Sequence, residues 1–387
     1  MELNAIAAFA AKIIAAIASV ALALGLAAVA VVLIRSPGKP SPVVGADGRP
    51  LPGAISEKGS VTIRGAELAY VIKAADPDAP VLIYLHGGMP DYFLTERHPT
   101  GLDSLFVVAW LDLRGAGRSY DPARDGGEAS IDDWLADAAS FADYLRGRFG
   151  KERVYLMGHS GGTYLGVKLI EAYPEAFEAY IGVAQMSDQR LSEKLSYDYI
   201  MDRYRDRSDR RRVYEVLAAE PVAESGPLPA SYLRYRDYAM HDLGVGTMRG
   251  MRDIVTGVFI PSLLFTEFTL GEKLKLWRAK AASGVSALWR EMTEVDLAKE
   301  SARFDVPVYF MHGELDYTVS YPLAKAYFDA IEAPDKAFFS FPNSAHSPIF
   351  EEPEACLRVI RERILPAAGR FAARRADAGA GSDAGDE

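Results

Sequence analysis

Short apolar runs alternate with helix-forming segments along most of the chain, and this alternation limits the fold more than any other feature of the sequence. A helix is predicted after Ser130, which suits an N-cap because Asp133 follows three residues later. Strands are predicted at residues 61–65, 68–73, 81–88, 106–115, 153–157, 179–185, 306–313 and 336–342. Short strands separated by helices are typical of a mostly parallel, twisted sheet with helices on both faces. The sequence therefore predicts an α/β fold.

A serine flanked by glycines lies at one of these strand-to-helix junctions, in the sequence RVYLMGHSGGTYLG at residues 153–166. A sharp turn at such a junction exposes the serine oxygen and leaves space only for glycine beside it, as at Gly158 and Gly162. It also directs the backbone N–H of Gly161 at an oxyanion that forms on a bound carbonyl group. Because G-x-S-x-G matches occur by chance in many chains, Ser160 is a nucleophile only if an acid and a base follow.

An acid and a base for Ser160 are found downstream, in the order nucleophile, acid, histidine that this architecture uses. The segment MHGELD at residues 311–316 follows a predicted strand and offers Asp316, with Glu314 as the second choice. Of the six histidines, His346 alone comes after these acids, on a loop behind the last predicted strand. We therefore expect His346 to activate Ser160 and Asp316 to orient the imidazole ring.

Five motifs, in this order, resemble the α/β-hydrolase superfamily across about residues 59–366, and within it the proline-iminopeptidase-like branch. The motifs are HGG at 86–88, LDLRGAGRSY at 111–120, GHSGG at 158–162, HGELD at 312–316 and SAHSPIFEEP at 344–353. The resemblance implies a catalytic triad of Ser160, Asp316 and His346, with oxyanion N–H groups from Gly88 and Gly161. It implies an acyl-enzyme mechanism with no metal and no organic cofactor.

The substrate is less constrained than the chemistry. The chain carries HGGMPD at 86–91, where the branch usually has H-G-G-P-G, and GHSGG, where the branch has G-G-S-W-G. An aminopeptidase needs acidic cap residues for a free α-amino group, and Glu267, Glu272 and Asp237 are present without a motif that assigns them. We therefore expect hydrolysis of an ester, lactone or amide bond in a small, largely apolar substrate. A proline-iminopeptidase-like aminopeptidase acting on short peptides is the alternative, and a catalytically silent binding module is the alternative from another class.

Residues 13–34 form a charge-free apolar run between Lys12 and Arg35. As a helix with a rise of about 1.5 Å per residue, this run is long enough for the hydrocarbon core of a bilayer. It predicts an uncleaved single-pass anchor, with a cleaved signal peptide as the alternative, although the apolar region of such a peptide is shorter. Because Lys12 on one side nearly balances Arg35, Lys39 and Arg49 on the other, the side of the membrane that holds the catalytic domain stays open.

Composition predicts the remaining domain boundaries. The segment after the anchor is rich in proline and glycine and is expected to be a semi-extended tether, while the C-terminal segment lacks apolar periodicity. The predicted domains are a linker at 35–58, a core at 59–186 and 301–366, a helical cap at 187–300 and a disordered tail at 367–387. The aromatic residues of the cap are expected to bury an acyl chain. The net charge of −10 argues against a nucleic-acid partner.

Overall fold

The computed structural model describes residues 2–123, 129–282 and 286–382, and all strands within these residues belong to one sheet. The strands are β1 (Ile55–Ile63), β2 (Ala66–Ala74), β3 (Val81–Leu85), β4 (Val107–Leu111), β5 (Val154–His159), β6 (Phe177–Val183), β7 (Val308–Gly313) and β8 (Lys336–Phe341). Their spatial order is β1-β2-β4-β3-β5-β6-β7-β8.

The six neighbouring strands β4-β3-β5-β6-β7-β8 are parallel to one another. Strand β2 pairs antiparallel with both β1 and β4. Parallel neighbours need long crossover connections, and helices supply them here. The prediction of a mostly parallel sheet in an α/β fold is therefore confirmed. In β3, Leu82 and Tyr84 pack in one buried cluster while Ile83 and Leu85 pack in another, so helices cover both faces of the sheet.

Helices lie before, between and after the strands. They are α1 (Glu2–Ile34), α2 (Ile131–Phe149), α3 (Gly161–Ala172), α4 (Gln189–Tyr204), α5 (Arg211–Ala219), α6 (Ala230–Asp242), α7 (Ile260–Leu264), α8 (Leu270–Ala282), α9 (Ser286–Glu294), α10 (Leu297–Glu300), α11 (Tyr321–Ala330), α12 (Pro348–Glu351), α13 (Pro353–Val359) and α14 (Leu365–Ser382). Helix α2 begins as predicted, because the Ser130 hydroxyl accepts from the Asp133 N–H at 3.1 Å and Asp133 accepts from the Ser130 N–H at 3.3 Å.

Helices α4 to α10 lie between β6 and β7, in the segment that the sequence assigns to the cap. Residues 283–285 of that segment lie outside the described residues. Part of the cap has a hydrophobic core of its own, which includes Tyr197, Tyr204 and Tyr232. Several of the aromatic side chains expected to hold an acyl chain are therefore used to fold the cap.

Helix α1 contains the apolar run that predicts an anchor. Its segment Lys12–Ile34 is long and apolar enough to cross a membrane, and none of its most apolar window is buried in the protein. Length and composition alone support this assignment, since a signal sequence near the N-terminus has the same properties.

The predicted linker is shorter and more closely packed than its composition suggests. Strand β1 already begins at Ile55, within the segment 35–58, and the Gly38 N–H donates to the Thr266 carbonyl at 3.1 Å. Lys58 extends this contact, because its ammonium group donates to the Gly38 carbonyl at 2.9 Å. Proline and glycine exclude regular structure from a segment but do not prevent it from packing on a neighbouring surface. The expectation of a semi-extended tether without helix or sheet up to residue 58 is therefore wrong from Ile55 onward.

The predicted disordered tail is helical over most of its described length. Helix α14 runs to Ser382, with Ala368 fully buried and the Arg375 guanidinium 3.2 Å from the Glu178 carboxylate. The segment is rich in alanine, which has the highest helix propensity, and these contacts with β6 add tertiary support. The expectation of disorder from residue 367 is therefore wrong up to Ser382, and residues 383–387 lie outside the described residues.

Candidate active site

Ser160 forms the turn between β5 and α3, with φ of 56° and ψ of −125°. A positive φ in a residue with a β-carbon costs about 1–3 kcal/mol and persists only where the surroundings enforce it. Here the Ser160 N–H donates to the Val183 carbonyl at 3.0 Å, and its carbonyl accepts from the Thr163 N–H at 2.8 Å. The prediction of a sharp strand-to-helix turn at Ser160 is confirmed, and the positive φ shows that the turn is strained.

Two glycines allow α3 to begin directly behind β5. A β-carbon on Gly158 would lie 2.5 Å from the carbonyl oxygen of Gly162, and a β-carbon on Gly162 would collide with the carbonyl oxygen of Leu85. Any larger residue would force the strands and the helix apart, so glycine is required at both positions for steric reasons. This packing places the turn at the carboxyl ends of β3 and β5.

The loop after β3 touches the serine turn through Gly87. A β-carbon on Gly87 would lie 2.7 Å from Cβ of Ser160 and 3.0 Å from the backbone nitrogen of Gly161. Gly88 follows, and its carbonyl oxygen accepts a hydrogen bond from the Lys280 ammonium group at 2.9 Å. The structure thus brings both residues predicted to donate to an oxyanion close to the same turn.

Asp316 follows β7 and His346 follows β8, and their side chains meet at the carboxyl edge of the sheet. Nδ1 of His346 lies 2.9 Å from Oδ2 of Asp316. The other carboxylate oxygen accepts from the N–H groups of Thr318 at 2.8 Å and Val319 at 2.9 Å. Because a carboxylate only accepts, Nδ1 of His346 carries the proton of this contact and Nε2 is the nitrogen that can act as a base.

Burial and mutual contact determine the charges of this pair. Burial lowers the pKa of His346 below its ordinary value, because the cationic ring would be poorly solvated, and Asp316 only partly opposes this shift. Burial by itself would raise the pKa of Asp316, but contacts with His346 and His312 hold it well below its usual range. Near neutral pH the site therefore holds an ionised aspartate beside a neutral histidine, which is the form a general base needs.

Ser160 and His346 are connected through the residue that precedes the serine. Nε2 of His159 lies 3.1 Å from the carbonyl oxygen of His346, and the centroids of the two imidazole rings are 5.2 Å apart. Within the described residues, no hydrogen bond joins the Ser160 hydroxyl to the ring of His346. Such contacts are often long without substrate and tighten when it binds, so the pairing of Ser160 with His346 stays a prediction.

Sequence reasoning missed the carboxylate that holds the histidine loop. Oε1 of Glu351 accepts from the N–H groups of Ala345 at 3.0 Å and Ser347 at 3.1 Å, on either side of His346. Its other oxygen accepts from the Arg249 N–H at 2.6 Å. The signal for this role was the acidic pair in SAHSPIFEEP, a few residues after the histidine.

Asp91 is a second supporting carboxylate that the sequence did not reveal. Its Oδ2 accepts from the Tyr84 hydroxyl at 2.8 Å and lies 3.2 Å from Nδ1 of His159. Since His159 also contacts the backbone of His346, this chain of contacts links β3, the oxyanion loop and the histidine loop. Asp91 is the last residue of the altered HGGMPD motif.

Helix α9 of the cap covers the serine turn with aliphatic and sulfur groups. From the position of a β-carbon on Gly161, Cδ2 of Leu288 is 3.0 Å away and Sδ of Met292 is 3.4 Å away. Both side chains are almost completely buried. On the same helix the Glu291 carboxylate accepts from the Tyr164 hydroxyl at 3.1 Å. The cap side chains next to Gly161 are therefore apolar, while Glu291 of the same helix contacts Tyr164 of α3.

Glu267, Glu272 and Asp237, the acids considered as ligands for a substrate amine, each form an ion pair with a lysine or arginine side chain. The pairs are Lys73–Glu267 at 3.0 Å, Lys58–Glu272 at 2.6 Å and Arg236–Asp237 at 2.8 Å. Glu267 also accepts from the Tyr92 hydroxyl at 2.8 Å, so its buried charge is already compensated. Among the described residues, no group of three or more His, Cys, Asp or Glu side chains is arranged to hold a metal ion.

A buried ion pair in the cap supports the loop that carries the acid. Glu193 is fully buried and accepts from the Arg236 guanidinium at 2.5 and 2.7 Å and from the Tyr232 hydroxyl at 2.7 Å. Gln189 links this cluster to the core, because its amide donates to Glu193 at 2.7 Å and to the Thr318 carbonyl at 2.9 Å. Truncating one partner of such a pair would leave a buried charge uncompensated.

Comparison with known proteins agrees with this geometry. A family model described as the alpha/beta hydrolase fold matches residues 80–353. A probable aminopeptidase, YbaC of Bacillus subtilis (strain 168), is 26% identical over 295 residues, which cover 76% of this chain and 91% of that protein. A proline iminopeptidase of Saccharolobus solfataricus is 24% identical over 328 residues, 80% of this chain and 92% of that protein.

Solved structures share the same architecture. A membrane phospholipase A, described as a novel bacterial virulence factor, matches with a TM-score of 0.53 and 17% identity over 81% of this chain and 86% of that chain. VinJ matches with a TM-score of 0.51 and 20% identity over 79% of this chain and 97% of that chain. At these identities the similarity establishes the fold and not the substrate.

Proposed function

This chain is a hydrolase of the α/β hydrolase fold family, in its proline-iminopeptidase-like branch, and from that premise we propose that it is a membrane-anchored serine hydrolase. In this proposal Ser160 is the nucleophile, His346 the general base and Asp316 the residue that orients it. The reaction is hydrolysis of an ester, lactone or amide bond in a small, largely apolar substrate. The observation that carries the proposal is the 2.9 Å contact between Asp316 and Nδ1 of His346, at the same edge of the sheet as the turn at Ser160.

The mechanism begins with proton transfer from the Ser160 hydroxyl to Nε2 of His346 while the serine oxygen attacks the substrate carbonyl. Asp316 stabilises the imidazolium that forms, and the N–H groups of Gly161 and Gly88 donate to the oxyanion. The imidazolium then gives its proton to the leaving group as the acyl-enzyme forms. Water, deprotonated by the same histidine, hydrolyses the acyl-enzyme and restores the serine hydroxyl.

The environment of the serine turn supports an apolar acyl group. Leu288 and Met292 lie next to Gly161, and burial of an acyl chain against such side chains contributes about 0.8 kcal/mol per methylene. Glu267, Glu272 and Asp237 are paired with cations, so recruiting one for a substrate amine would require an existing ion pair to break. These observations favour esters over aminoacyl amides.

A proline-iminopeptidase-like aminopeptidase is the second candidate. The similarity to a probable aminopeptidase and to a proline iminopeptidase favours it, and so does the position of Glu291 on the helix that carries Leu288 and Met292. The Glu291 carboxylate accepts a hydrogen bond from the neutral hydroxyl group of Tyr164. A substrate ammonium group is therefore a chemically suitable further partner for this carboxylate. In this case Glu291→Gln would abolish cleavage of aminoacyl amides and leave cleavage of simple esters intact.

Two assays test the proposal. A fluorophosphonate probe should label the wild-type protein and fail to label Ser160→Ala, with circular dichroism to confirm that both are folded. Rates on p-nitrophenyl esters of increasing acyl length should then exceed those on aminoacyl naphthylamides. Faster turnover of a prolyl amide than of the best ester would favour the aminopeptidase. No labelling of folded wild-type protein would instead favour a silent binding module.

The membrane assignment rests on α1. Its apolar segment Lys12–Ile34 supports a single-pass anchor, while a cleaved signal peptide is the competing interpretation. Retention in membranes after alkaline carbonate washing, together with an intact N-terminus by mass spectrometry, is the expected result. A processed N-terminus and a soluble product would overturn the anchor without affecting the proposed chemistry.

A further inference from the structure

A helical segment of the cap, Val255–Leu264, exposes large apolar side chains. Val255 is 57% exposed, and Phe259 and Ile260 are each 38% exposed. Val255–Phe259 is a π-helix, in which hydrogen bonds join residues five apart, so Val255, Phe259 and Ile260 lie on one face and form a continuous apolar surface. Val258, within the same turn, is buried and fixes the segment on the protein. A contiguous exposed surface of this kind marks a contact with a partner or a membrane.

The C-terminal end of this segment contacts the end of α1. The Lys273 ammonium group donates to the carbonyl of Arg35 and to that of Leu263, both at 2.7 Å. The Arg35 guanidinium in turn donates to the Leu264 carbonyl at 3.0 Å. Because these contacts attach the last turn of α1 to the segment, a bilayer crossed by α1 would have its surface close to Phe259 and Ile260.

Three exposed arginines lie beside the same segment. Arg97, Arg249 and Arg252 line a groove of about 740 Å³, and Thr256 and Gly257 of the segment line it as well. Within the described part of the chain, none of the three guanidinium groups forms an ion pair. They are therefore available to an anion outside the protein.

Arg97 joins the groove to the anchor. It also lines a cavity of about 350 Å³ together with Val31 of α1 and Leu264. The groove contains one carboxylate, Glu351, and backbone N–H groups already occupy both of its oxygens. Asp253, which caps the segment by accepting from the Thr256 N–H, is a second carboxylate near Arg252, so three arginines face two carboxylates and the local charge stays positive although the chain as a whole carries −10.

We propose that Val255, Phe259 and Ile260, together with Arg97, Arg249 and Arg252, form a second membrane contact, which docks the catalytic domain on an anionic bilayer. Apolar side chains beside arginines are the composition of interfacial elements, whose apolar face enters the acyl boundary while the cations bind lipid phosphates. The proposal rests on the proposed anchoring by α1, which places the bilayer at this surface.

Site-specific labelling of the full-length chain tests the docking. Ile260→Cys carries an environment-sensitive fluorophore, and Asp329→Cys, on α11 beside the edge strand β8, carries it as the matched control. Cys356, which is buried, is replaced by alanine in both chains. In vesicles of phosphatidylcholine and phosphatidylglycerol with a nitroxide on the acyl chain, we expect several-fold stronger quenching at position 260 than at position 329.

Charge removal tests the role of the arginines. The triple variant Arg97→Gln, Arg249→Gln, Arg252→Gln should lower the ratio of docked to undocked protein by about fivefold per charge, since each basic side chain at an anionic surface contributes about 1 kcal/mol. The control triple variant Arg205→Gln, Arg211→Gln, Arg303→Gln removes the same charge from exposed positions elsewhere and should leave docking unchanged. Equal effects of the two variants would overturn the role of the groove.

Each remaining outcome decides the proposal. A label at position 260 that is shielded from aqueous iodide but not quenched by the lipid nitroxide would show that a protein covers the surface, and would overturn membrane docking. A label open to iodide would overturn it as well. Release of the unlabelled chain by carbonate would show that α1 does not anchor, so the proposed anchoring and the docking would be wrong together. Retention in carbonate with an iodide-accessible label would overturn the docking alone.

Discussion

The ammonium group of Lys280, at the end of α8, donates a hydrogen bond to the carbonyl oxygen of Gly88 at 2.9 Å. The cap therefore contacts the loop that is expected to supply an oxyanion N–H group. A change in the position of α8 would reach the expected oxyanion loop through this contact, without a change in Ser160, Asp316 or His346.

Lys280→Met is expected to lower kcat toward small esters. The substitution removes the hydrogen bond that holds Gly88, and a contact of this kind at a partly exposed position contributes about 1 kcal/mol, or about a fivefold rate change. Lys275→Met is the matched control, because this lysine of the same helix donates instead to the Arg118 carbonyl at 2.6 Å. Steady-state kinetics on both variants checks the prediction, and an unchanged kcat for Lys280→Met would contradict it.

The rate should rise with pH along an acid limb whose midpoint lies below the ordinary histidine value of about 6.5. Burial lowers the pKa of His346, so the active neutral form persists to lower pH than for an exposed histidine. Asp316→Asn removes the charge that partly raises this pKa, so the midpoint should move further down while kcat falls by a factor on the order of 10⁴.

The pH profile of kcat/KM, with chemistry shown to limit the rate, is the measurement. A midpoint above the ordinary histidine value, or a midpoint that rises in Asp316→Asn, would contradict the assignment of His346 as a buried base.

Leu288→Ala is expected to flatten the increase of kcat/KM with acyl length. In the wild-type protein each added methylene should raise kcat/KM by about fourfold, from about 0.8 kcal/mol of burial, and removal of Leu288 takes away part of that apolar surface. Leu217→Ala is the control, because this leucine is equally buried but packs in the cap's own core. Both variants should lose about 2–5 kcal/mol of stability, and only Leu288→Ala should change the chain-length dependence.

Two truncations should separate the anchor from the folded domain. Deletion of residues 1–34 removes α1 and is expected to give a soluble protein with unchanged turnover of small esters. Deletion of residues 1–58 also removes the first four residues of the nine-residue strand β1 and the partner of Glu272, Lys58. Loss of that partly buried contact alone costs about 1 kcal/mol, so the melting temperature should fall by about 2 °C or more. Equal melting temperatures would show that the packed linker contributes nothing.

The order of elements and the serine turn were predictable because their signals are local. Strand and helix periodicity follows from side chains within a few residues of one another, and the glycines around Ser160 reflect crowding within one turn. The contact between Asp316 and His346 was predictable for another reason. In a parallel sheet, residues after neighbouring strands reach the same edge, so chain order alone brings them together.

Other features depended on pairs far apart in the chain and had no local signal. Nothing near Lys280 indicates that it reaches Gly88, and nothing near Arg236 indicates that it neutralises Glu193. The aromatic residues of the cap were predicted to bind an acyl chain. Composition does not distinguish an aromatic residue in the hydrophobic core of the cap from one that lines a pocket. The terminal segment was misjudged for a similar reason, since its helix is supported by contacts with β6.

The sequence by itself determined the sheet, the strained turn at Ser160, the order of the proposed triad and the apolar character of α1, because each depends on local periodicity, local sterics or strand order. Only the tertiary structure decided what surrounds them. It placed Leu288 and Met292 beside the serine turn, paired the acids of the cap with cations, packed the linker on the domain and attached α1 to the exposed face of Val255–Leu264. The reason is physical: these contacts join residues whose separation along the chain carries no information about their distance, so packing alone selects them.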